Sequence, residues 1–570
     1  MASVQSAVVK KTMTKTSIWA ALRNPVYKRL WVASVVSGTW VAAHDTAATW
    51  TMNMLTPSPI FLSLMSTVAS IPFFLFTLPA GALADMLDRK KLLCLMNLWL
   101  AAGSASLAVL GWVHLLSPNV ILGSVFLIGV GFAFNAPAWS SIVPQIVSDV
   151  ELPSAVTLGG LQLNVSGIIG PVLGGVLVPS VGANFVFAVN AVSFLVVILA
   201  VLAWKGTAAQ SSPPLENFFR SLVTAVRYIR HARRLRVVLE RNALFALCIS
   251  VIPALLPVVG LKLLNLGASN LGLLFTSMGA GSVVAAVVII PRLRARYSPN
   301  TLTILANWLV LQVYVSMAVV RQMELLFLIA VLAGVGWTVS ASELWVAAQR
   351  AMPSWARGRM NATVIMVSQG AMALGGVIWG CAATKAGASY ALLGAAILFL
   401  ISLVLATPLS IDFTGTLNLD PAPVTSFSHR LIYIPQPRDG PMSITVEFKI
   451  DCTRGQEFIS LMREVRLIHL RNGAYSWRLH EDLTRSNTFR LELVVPSWNE
   501  HLLQRERMTK AEKDMLKKVW SLHMGTTPPE ERIYLSVSNE LQTPRQCTFN
   551  ASTSPRIRTG FETHEIQGLM

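Results

Sequence analysis

The chain has 570 residues, of which 53% are hydrophobic and 13% are charged, whereas soluble globular proteins carry about 25% charged residues. Its formal net charge is nevertheless +18, from 46 Lys and Arg residues against 28 Asp and Glu residues. This composition excludes a disordered protein, which would be less apolar, and a soluble nucleic-acid binder, which would carry more charge overall. Long apolar runs exclude an outer-membrane barrel, so we predict an all-α polytopic membrane protein without a nucleic-acid partner.

Twelve apolar segments, each long enough to cross a bilayer as a helix, occupy the chain up to about residue 410. They form two blocks of six, and a polar middle loop at 205–241 joins the blocks. We therefore predict a cytoplasmic tail at 1–27 and two six-helix halves at 28–204 and 242–410. The spans are expected at roughly 28–54, 61–83, 92–115, 119–142, 158–179, 184–204, 242–264, 270–291, 301–320, 324–347, 360–383 and 387–410.

The basic residues predict the orientation of these spans, because Lys and Arg in short loops favour the cytoplasmic side. Basic clusters occur in the N-terminal tail, in the middle loop, and after the second, eighth and tenth spans. The opposite loops carry only Lys262, Arg321 and Lys385. We therefore expect a multi-pass protein of the inner (plasma) membrane with both termini in the cytoplasm, its basic loops in contact with anionic lipid headgroups.

The two blocks show weak internal similarity in their glycines. The fifth span contains Gly170-Pro171-Val172-Leu173-Gly174-Gly175, and the eleventh contains Gly375-Gly376 with Gly380 one turn later. Glycine at such spacing lets helix backbones approach closely in lipid, and weak similarity of this kind is expected when two six-helix halves pack side by side. The alternative is that glycine is simply common in membrane helices.

The segment Gly81-Ala82-Leu83-Ala84-Asp85-Met86-Leu87-Asp88-Arg89-Lys90 resembles the signature loop between spans 2 and 3 of the major facilitator superfamily. Asp88 stands where that pattern has its second glycine. The resemblance implies that Gly81, Asp85, Arg89 and Lys90 help to hold one conformation of a transporter. A role in setting topology is the alternative.

A second motif narrows the resemblance. Gly170, Pro171, Gly174 and Gly175 resemble the antiporter motif, with Ser166 in place of its first glycine. Residues 135–155 are similar to the transmembrane secretion effector branch, which includes enterobactin-type siderophore exporters and macrolide efflux proteins. Over residues 20–405 the resemblance implies a twelve-helix facilitator fold and proton-coupled export of a small molecule, with no cofactor.

A polar stripe on the first span provides the proton-coupling candidate. An ionisable residue within a span is costly and therefore marks function by default. Asp45 lies near the middle of the stripe, and a desolvated carboxylate there would titrate near neutrality. The alternatives are a structural hydrogen bond or a position near the outer interface. The stripe recurs every three or four residues and consists of Ser34, Gly38, Ala42, Asp45, Thr49 and Asn53.

Further polar residues within the spans are gating or substrate candidates. Glu343 is predicted to form a gating ion pair, either with an arginine after the eighth span or with Arg350, Arg357 or Arg359. Four other side chains are candidates for a substrate cavity or, as the alternative, for hydrogen bonds between helices. These are Trp40, Asn135, Gln162 and Gln369.

The composition changes after residue 410, where we predict a linker at 411–442, an α+β domain at 443–538 and a disordered tail at 539–570. Alternating residues predict strands at 443–450, 473–483, 488–496 and 532–537, and helical periodicity covers 454–470 and 498–522. The order β-α-β-β-α-β predicts a ferredoxin-like unit.

The C-terminal domain resembles dimeric α/β-barrel domains related to antibiotic-biosynthesis monooxygenases. This resemblance rests on residues 471–477 and 497–501 with Gln504 and Arg507, and it implies a homodimer. No catalytic triad, metal-ligand spacing or phosphate loop is visible, so we expect a regulatory or dimerising domain, no metal and no enzyme.

The leading hypothesis is a proton-coupled exporter of an amphipathic small molecule, such as a siderophore or drug. An importer or uniporter of the same fold is one alternative, although the antiporter-like motif in the fifth span argues against it. A membrane-tethered enzyme that acts through the C-terminal domain is the other alternative.

Overall fold

The computed structural model describes residues 17, 19–148, 150–204, 226–412, 418–423, 435–525 and 529–536. Helices dominate this part of the chain, and a small sheet follows them. The predicted N-terminal tail up to residue 16, part of the middle loop and the C-terminal tail lie outside the described residues. The long helices are α1 (Pro25–Leu55), α2 (Pro59–Met86), α3 (Arg89–Trp112), α4 (Pro118–Ile146), α5 (Leu152–Val181), α6 (Ala183–Leu202), α7 (Arg233–Leu263), α8 (Ala268–Leu293), α9 (Pro299–Val319), α10 (Met323–Ala351), α11 (Arg357–Ala386) and α12 (Ala388–Ala406).

Eleven of the described helices, α2 to α12, are long and apolar enough to cross a membrane. The predicted polytopic helical architecture is confirmed to that extent. Helix α1 has 31 residues, enough to span, but Ser, Thr, His, Asp and Asn side chains lower its hydropathy. A twelfth span at α1 therefore stays a prediction.

Several helices start with a polar cap followed by proline. Asn24 accepts hydrogen bonds from Val26 N and Tyr27 N before Pro25 opens α1. Ser117 and Ser298 cap α4 and α9 in the same way, each followed by proline. The cap satisfies backbone N–H groups that have no partner within the helix, and proline needs none at this position. These local signals explain why the helices begin where they do.

Matching glycines form the turns after α5 and α11. Gly182 has a φ of 87° and Gly387 has a φ of 92°, and both ψ angles lie near 155°. Such positive φ values strain every residue that has a Cβ atom, so glycine is required here. The interval from Gly182 to Gly387 is the same as that from Gly170 to Gly375. The α5–α6 and α11–α12 hairpins thus share one turn geometry.

The C-terminal part folds into an antiparallel sheet covered by helices. Its strands are β1 (Met442–Lys449), β2 (Ser476–Glu481), β3 (Thr488–Val495) and β4 (Glu530–Leu535), in the order β2-β3-β1-β4. The helices are α13 (Gly455–Asn472), α14 (Trp498–Arg507) and α15 (Lys510–Trp520). All three strand pairs are antiparallel. The small C-terminal sheet expected from the alternating residues is therefore present.

The helix predicted at 498–522 is wrong in one respect, because it consists of two helices. Met508 has extended geometry, and Thr509 then caps α15. The Thr509 side chain accepts from Glu512 N while the Glu512 carboxylate accepts from Thr509 N, which is a capping box. The box starts a new helix, and α14 and α15 therefore run as separate segments.

Candidate functional site

Helix α5 packs directly on the backbone of α1 through its glycines. A Cβ atom at Gly170 would lie 2.5 Å from the Thr39 carbonyl oxygen, and one at Gly174 would lie 2.7 Å from that of Ala43. Only glycine permits this approach, since carbonyl oxygens of a helix cannot move aside. The antiporter-like motif is therefore a helix-packing surface.

A neighbouring face of α5 packs on α8. A Cβ atom at Gly175 would lie 3.0 Å from Gly272 Cα, and one at Gly272 would collide with the Pro171 carbonyl oxygen. Two hydroxyl groups of α8 also donate to α5 carbonyls: Ser269 Oγ to Gly175 at 3.1 Å, and Thr276 Oγ1 to Ile168 at 3.0 Å. A single helix thus joins α1 to α8.

Helix α11 makes the equivalent contacts with α2 and α7. A Cβ atom at Gly375 would lie 2.5 Å from the Leu247 carbonyl oxygen of α7, and one at Gly380 would lie 2.8 Å from Ser63 Cβ of α2. Thr67 of α2 donates to the Ala373 carbonyl oxygen of α11 at 3.2 Å. The two contacts have the same plan, but in the second a Cβ atom at Gly376 or Gly380 would meet threonine and serine side chains instead of backbone.

Lys262, near the end of α7, links α7 to the C-terminal end of α1. Its ammonium group donates to the Asn53 carbonyl oxygen at 3.3 Å and to that of Thr56 at 3.0 Å, where α1 ends. Sequence analysis used this lysine only as a topology marker and missed its role in packing. A lone basic residue in an otherwise uncharged loop was the available signal.

A cavity of about 190 Å³ lies among α7, α10 and α11. Asn242 and Phe245 contribute from α7, and Gln369 from α11. Two tryptophans of α10, Trp337 and Trp345, complete an aromatic wall. The cavity combines apolar surface with a few amides, which is the usual character of a small-molecule site. Of the four predicted cavity residues, Gln369 is the one that lines this space, and sequence analysis missed both tryptophans.

The other three cavity candidates make packing contacts. Gln162 Nε2 donates to the Ser34 carbonyl oxygen at 3.2 Å and so joins α5 to α1. Asn135 Oδ1 accepts from Asn97 Nδ2 at 3.2 Å and so joins α4 to α3. Trp40 is half-buried and packs against the apolar core. These contacts correspond to the interhelical alternative.

Asp45 lies exposed on α1, and its carboxylate has no ion-pair partner within the described residues. Along the polar stripe, Ala42 packs on Gly170, and the Asn53 carbonyl meets Lys262. On the N-terminal side of Asp45 the stripe therefore faces α5, and on its C-terminal side the α1 backbone meets α7. His44 points elsewhere, with its ring 4.8 Å from that of Phe187.

The signature-like loop connects α2 to α3, and its basic side chains bind backbone carbonyl groups of other segments. Asp88 has a φ of −60° and caps α3 by accepting from Lys90 N and Lys91 N, so this position needs no glycine. Arg89 reaches the Ser141 carbonyl oxygen at 3.4 Å, and Lys90 donates to that of Trp204 at 2.6 Å. A Cβ atom at Gly81 would meet nothing within 4 Å. The side chain of Asp85 lies outside the described part.

Glu343 is buried on α10 and pairs with Arg294 at 2.7 Å. Of the predicted partners, the structure selects an arginine at the end of α8. The interval from Arg89 to Arg294 equals that from Gly170 to Gly375. Arg89 lies against a carbonyl oxygen of α4, and Arg294 lies against a carboxylate of α10.

Comparison with known proteins places the chain in a family. The family model described as transmembrane secretion effector matches residues 16–542, which include all four C-terminal strands. Macrolide efflux protein A of Streptococcus pyogenes is 22% identical over 264 residues, 46% of this chain and 65% of that protein. Enterobactin exporter EntS of Salmonella typhi is 24% identical over 269 residues, 46% and 63%. The chain thus spans slightly less than two thirds of the length of these relatives.

Solved structures show the same fold. A bacterial homolog of the human lysosomal transporter Spinster, inward-facing and occupied, has a TM-score of 0.55 at 13% identity, covering 69% of this chain and 97% of that one. Nucleoside transporter NupG has a TM-score of 0.55 at 12% identity, covering 68% and 100%. The helices have the fold of major facilitator superfamily transporters. Since the family model covers most of its length, the chain belongs to the transmembrane secretion effector family, which comprises transporters and not enzymes.

Proposed function

We propose that the protein is a proton-coupled exporter of an amphipathic small molecule across the inner membrane. The observation that carries this proposal is the contact of the α5 glycine motif with α8 at one end of the bundle, while the cavity among α7, α10 and α11 lies towards the other. Both termini face the cytoplasm in this proposal, as the basic loops predict.

Twelve spans in two six-helix halves are part of the proposal. Its support is the common interval that relates Gly170 to Gly375, Gly182 to Gly387 and Arg89 to Arg294. Under this repeat α5 corresponds to α11, and the pair α1 and α8 corresponds to the pair α7 and α2. The glycine contacts follow this correspondence, since α5 packs on α1 and α8 whereas α11 packs on α7 and α2. Helix α1 is then the twelfth span.

The position of the contacts supports an inward-facing conformation. Gly175, Gly272, Gly380 and Lys262 all lie near helix ends that the charge pattern assigns to the outer side. The cavity instead lies towards the cytoplasmic starts of α7 and α11. A transporter closed outside and accessible inside is in the loading state of an exporter, and rocking of one half against the other would expose the substrate to the outside.

The cavity indicates the substrate class. Trp337, Trp345 and Phe245 offer apolar faces, and Gln369 and Asn242 offer amides, with no charged side chain in the lining. At about 190 Å³ it is smaller than the roughly 300–1000 Å³ of typical ligand pockets, so it would hold one apolar portion of a larger molecule. Relatives named for macrolides and for enterobactin transport are consistent with this class.

Asp45 is the proposed proton-coupling residue, because it is an acidic side chain within α1 that has no salt bridge among the described residues. Proton uptake there would neutralise a charge at membrane depth, where charge is costly. The pair of Glu343 with Arg294, together with Gly81, Asp85, Arg89 and Lys90, is proposed to stabilise one of the two conformations at the cytoplasmic ends.

The C-terminal domain is proposed to form a dimer. Measuring the mass of the purified protein in detergent tests this proposal.

The test is efflux from cells and uptake into inverted vesicles, over a panel of siderophores and macrolides, with and without a protonophore. The exporter should lower the cellular content of at least one compound, and the protonophore should abolish this effect. The Asp45→Asn variant should lose the coupled transport, whereas Asp45→Glu, which keeps the carboxylate, should retain part of it. Accumulation in cells would indicate an importer, and normal coupled export by Asp45→Asn would remove Asp45 from the mechanism.

A further inference from the structure

The C-terminal domain contains its own cavity, of about 280 Å³, between the sheet and the helices. Phe448 of β1 and Leu491 and Leu493 of β3 form its apolar floor. Met462 of α13 and Leu516 of α15 cover it from the helix side. Its volume approaches the lower end of the range for small-molecule pockets, about 300 Å³, so it suits a compact ligand.

Buried polar side chains line this apolar space. His469, His501 and Gln504 are each less than a tenth exposed. Burial lowers the pKa of His469 to about 4, and burial together with nearby Arg505 lowers the pKa of His501 to about 4. Both imidazoles are therefore neutral at neutral pH. His469 Nδ1 accepts from Trp477 Nε1 at 3.1 Å, which places its proton on Nε2.

The lining of the cavity is also positively charged. Arg505, Lys513 and Lys517 contribute to it, and the acidic residue among the lining side chains is Glu531. Lys517 pairs with Asp514 at 3.3 Å and is two thirds exposed, so it lies on the solvent side of the lining, where a ligand would enter. An excess of cations around an apolar space favours a ligand with an anionic group, because ionised partners form the stronger hydrogen bonds.

We propose that this cavity binds a compact apolar molecule with one anionic group, and that the bound ligand acts on the membrane helices through α14 and the segment 418–423. The site is separate from the transport cavity, and the proposal does not depend on which substrate is exported.

The segment 418–423, which follows α12 in the chain, forms one wall of the cavity. Ala422 and Pro423 line it. Ala422 N donates to the Met508 carbonyl oxygen at 2.8 Å, and Lys510 N donates to that of Asp420 at 2.9 Å. A ligand in the cavity therefore touches the segment that comes after α12 in the sequence.

Helix α14 forms the second connection. It contributes His501, Gln504 and Arg505 to the cavity lining. Glu500 near its start and Arg507 at its end form an ion pair. The Glu500 carboxylate accepts from Arg507 at 2.8 Å and from Arg227 at 3.3 Å. A ligand that displaces α14 would therefore change the contact of Glu500 with Arg227, which lies in the segment before α7.

Two aromatic rings carry this contact to the helices of the transport cavity. The Arg507 guanidinium lies 5.6 Å from the centre of the Trp355 ring, and the Trp355 and Tyr228 rings meet edge to face at 5.9 Å. Tyr228 precedes α7, and Trp355 directly precedes α11. These are two of the three helices that line the membrane cavity. The C-terminal cavity is therefore positioned to influence access to the transport site.

Binding is tested by titrating naphthoate, an apolar ring system with one carboxylate, into the full chain in lipid nanodiscs by calorimetry, with empty nanodiscs subtracted. We expect saturable binding of one molecule per chain, and much weaker binding of the neutral alcohol analogue. Val446→Phe, which fills the cavity, should abolish binding. Lys517→Gln should weaken it about three-fold, whereas Lys518→Gln, a neighbouring lysine that is not among the lining residues, should leave it unchanged.

Absence of saturable binding would overturn the proposal, as would unchanged binding in Lys517→Gln, an exposed substitution that should not affect folding. Communication is tested by hydrogen–deuterium exchange. Naphthoate should slow exchange in α14 and at 226–231, and Trp355→Leu should remove the effect at 226–231 but not in α14. Slowing confined to the C-terminal domain of the unmodified chain would refute the connection to the membrane helices.

Discussion

The contact of α5 with α8 and the contact of α11 with α2 have the same plan but different chemistry. At the first, Gly175 and Gly272 bring two backbones together, and a Cβ atom at either would meet backbone atoms of the other helix. At the second, Gly376 and Gly380 face the side chains of Thr67 and Ser63. A side chain can change its rotamer to make room for an added atom, whereas a helix backbone cannot move aside in this way. The first contact should therefore tolerate added atoms less well.

The largest effect is expected from Gly272→Val, which places a branched side chain against the Pro171 carbonyl oxygen. Overpacking a close backbone contact forces the helices apart, so transport should fall at least about ten-fold while the protein still inserts. The measurement is uptake into inverted vesicles, normalised to the amount of membrane-inserted protein. The matched control is Gly394→Val on α12, where a Cβ atom would meet nothing within 4 Å. Equal activity of the two variants would contradict the assigned contact.

The two blocks also differ at Arg89 and Arg294, since Arg89 meets a carbonyl oxygen and Arg294 meets the buried Glu343. Glu343→Gln removes the charge that Arg294 pairs with and should lower the free energy of unfolding by about 1–2 kcal/mol, less than for a fully buried pair because Arg294 is partly exposed. The midpoint of thermal unfolding in detergent reports this loss. Glu324→Gln, at an exposed acid on the same helix, should unfold like the unmodified protein.

A smaller effect is expected from Gly376→Ala, because its Cβ atom would meet the Thr67 side chain. Transport should fall about two- to five-fold, and Thr67→Ala in the same chain should restore most of it by removing the hydroxyl group. Vesicle uptake by the single and double variants measures this coupling. If Thr67→Ala gave no recovery, side-chain contact would not be what distinguishes α11–α2 from α5–α8.

The smallest effect is expected from Ser269→Ala, which deletes the hydrogen bond from Ser269 to the Gly175 carbonyl oxygen but leaves the glycine contact intact. A single hydrogen bond of this kind contributes about 0.5–1.5 kcal/mol. The midpoint of thermal unfolding should fall by a few degrees at most, with transport nearly unchanged. A loss of transport as large as that of Gly272→Val would show that the hydroxyl group, not the backbone approach, holds the helices together.

Sequence analysis predicted one side of these contacts and not the other. The glycines of α5 and α11 stand out because they recur at helical spacing, and glycine has a clear physical meaning in a membrane helix. Gly272, which completes the contact from α8, carries no such local signal. Its importance depends on which helices become neighbours, and that is a tertiary property.

The candidate cavity shows the same limit. Gln369 was recognisable because a polar side chain within an apolar span requires a reason. Trp337 and Trp345 are apolar residues in an apolar helix, and only the packing of α7, α10 and α11 shows that they face a cavity. Likewise, the break between α14 and α15 depends on a capping box at Thr509 that sits inside continuous helical periodicity.

The central claim is that two halves meet at their outer ends and separate there during export. Distances between pairs of spin labels, measured by pulsed electron paramagnetic resonance in nanodiscs on a cysteine-free background, test it directly. One pair joins the outer ends of α5 and α8, at Val181 and Asn265, and the other joins their cytoplasmic ends, at Val156 and Arg292. The account predicts a short outer distance at neutral pH and, with substrate and acid pH, a longer outer distance together with a shorter cytoplasmic one. Two distances that stay constant, or that lengthen together, would contradict alternating access.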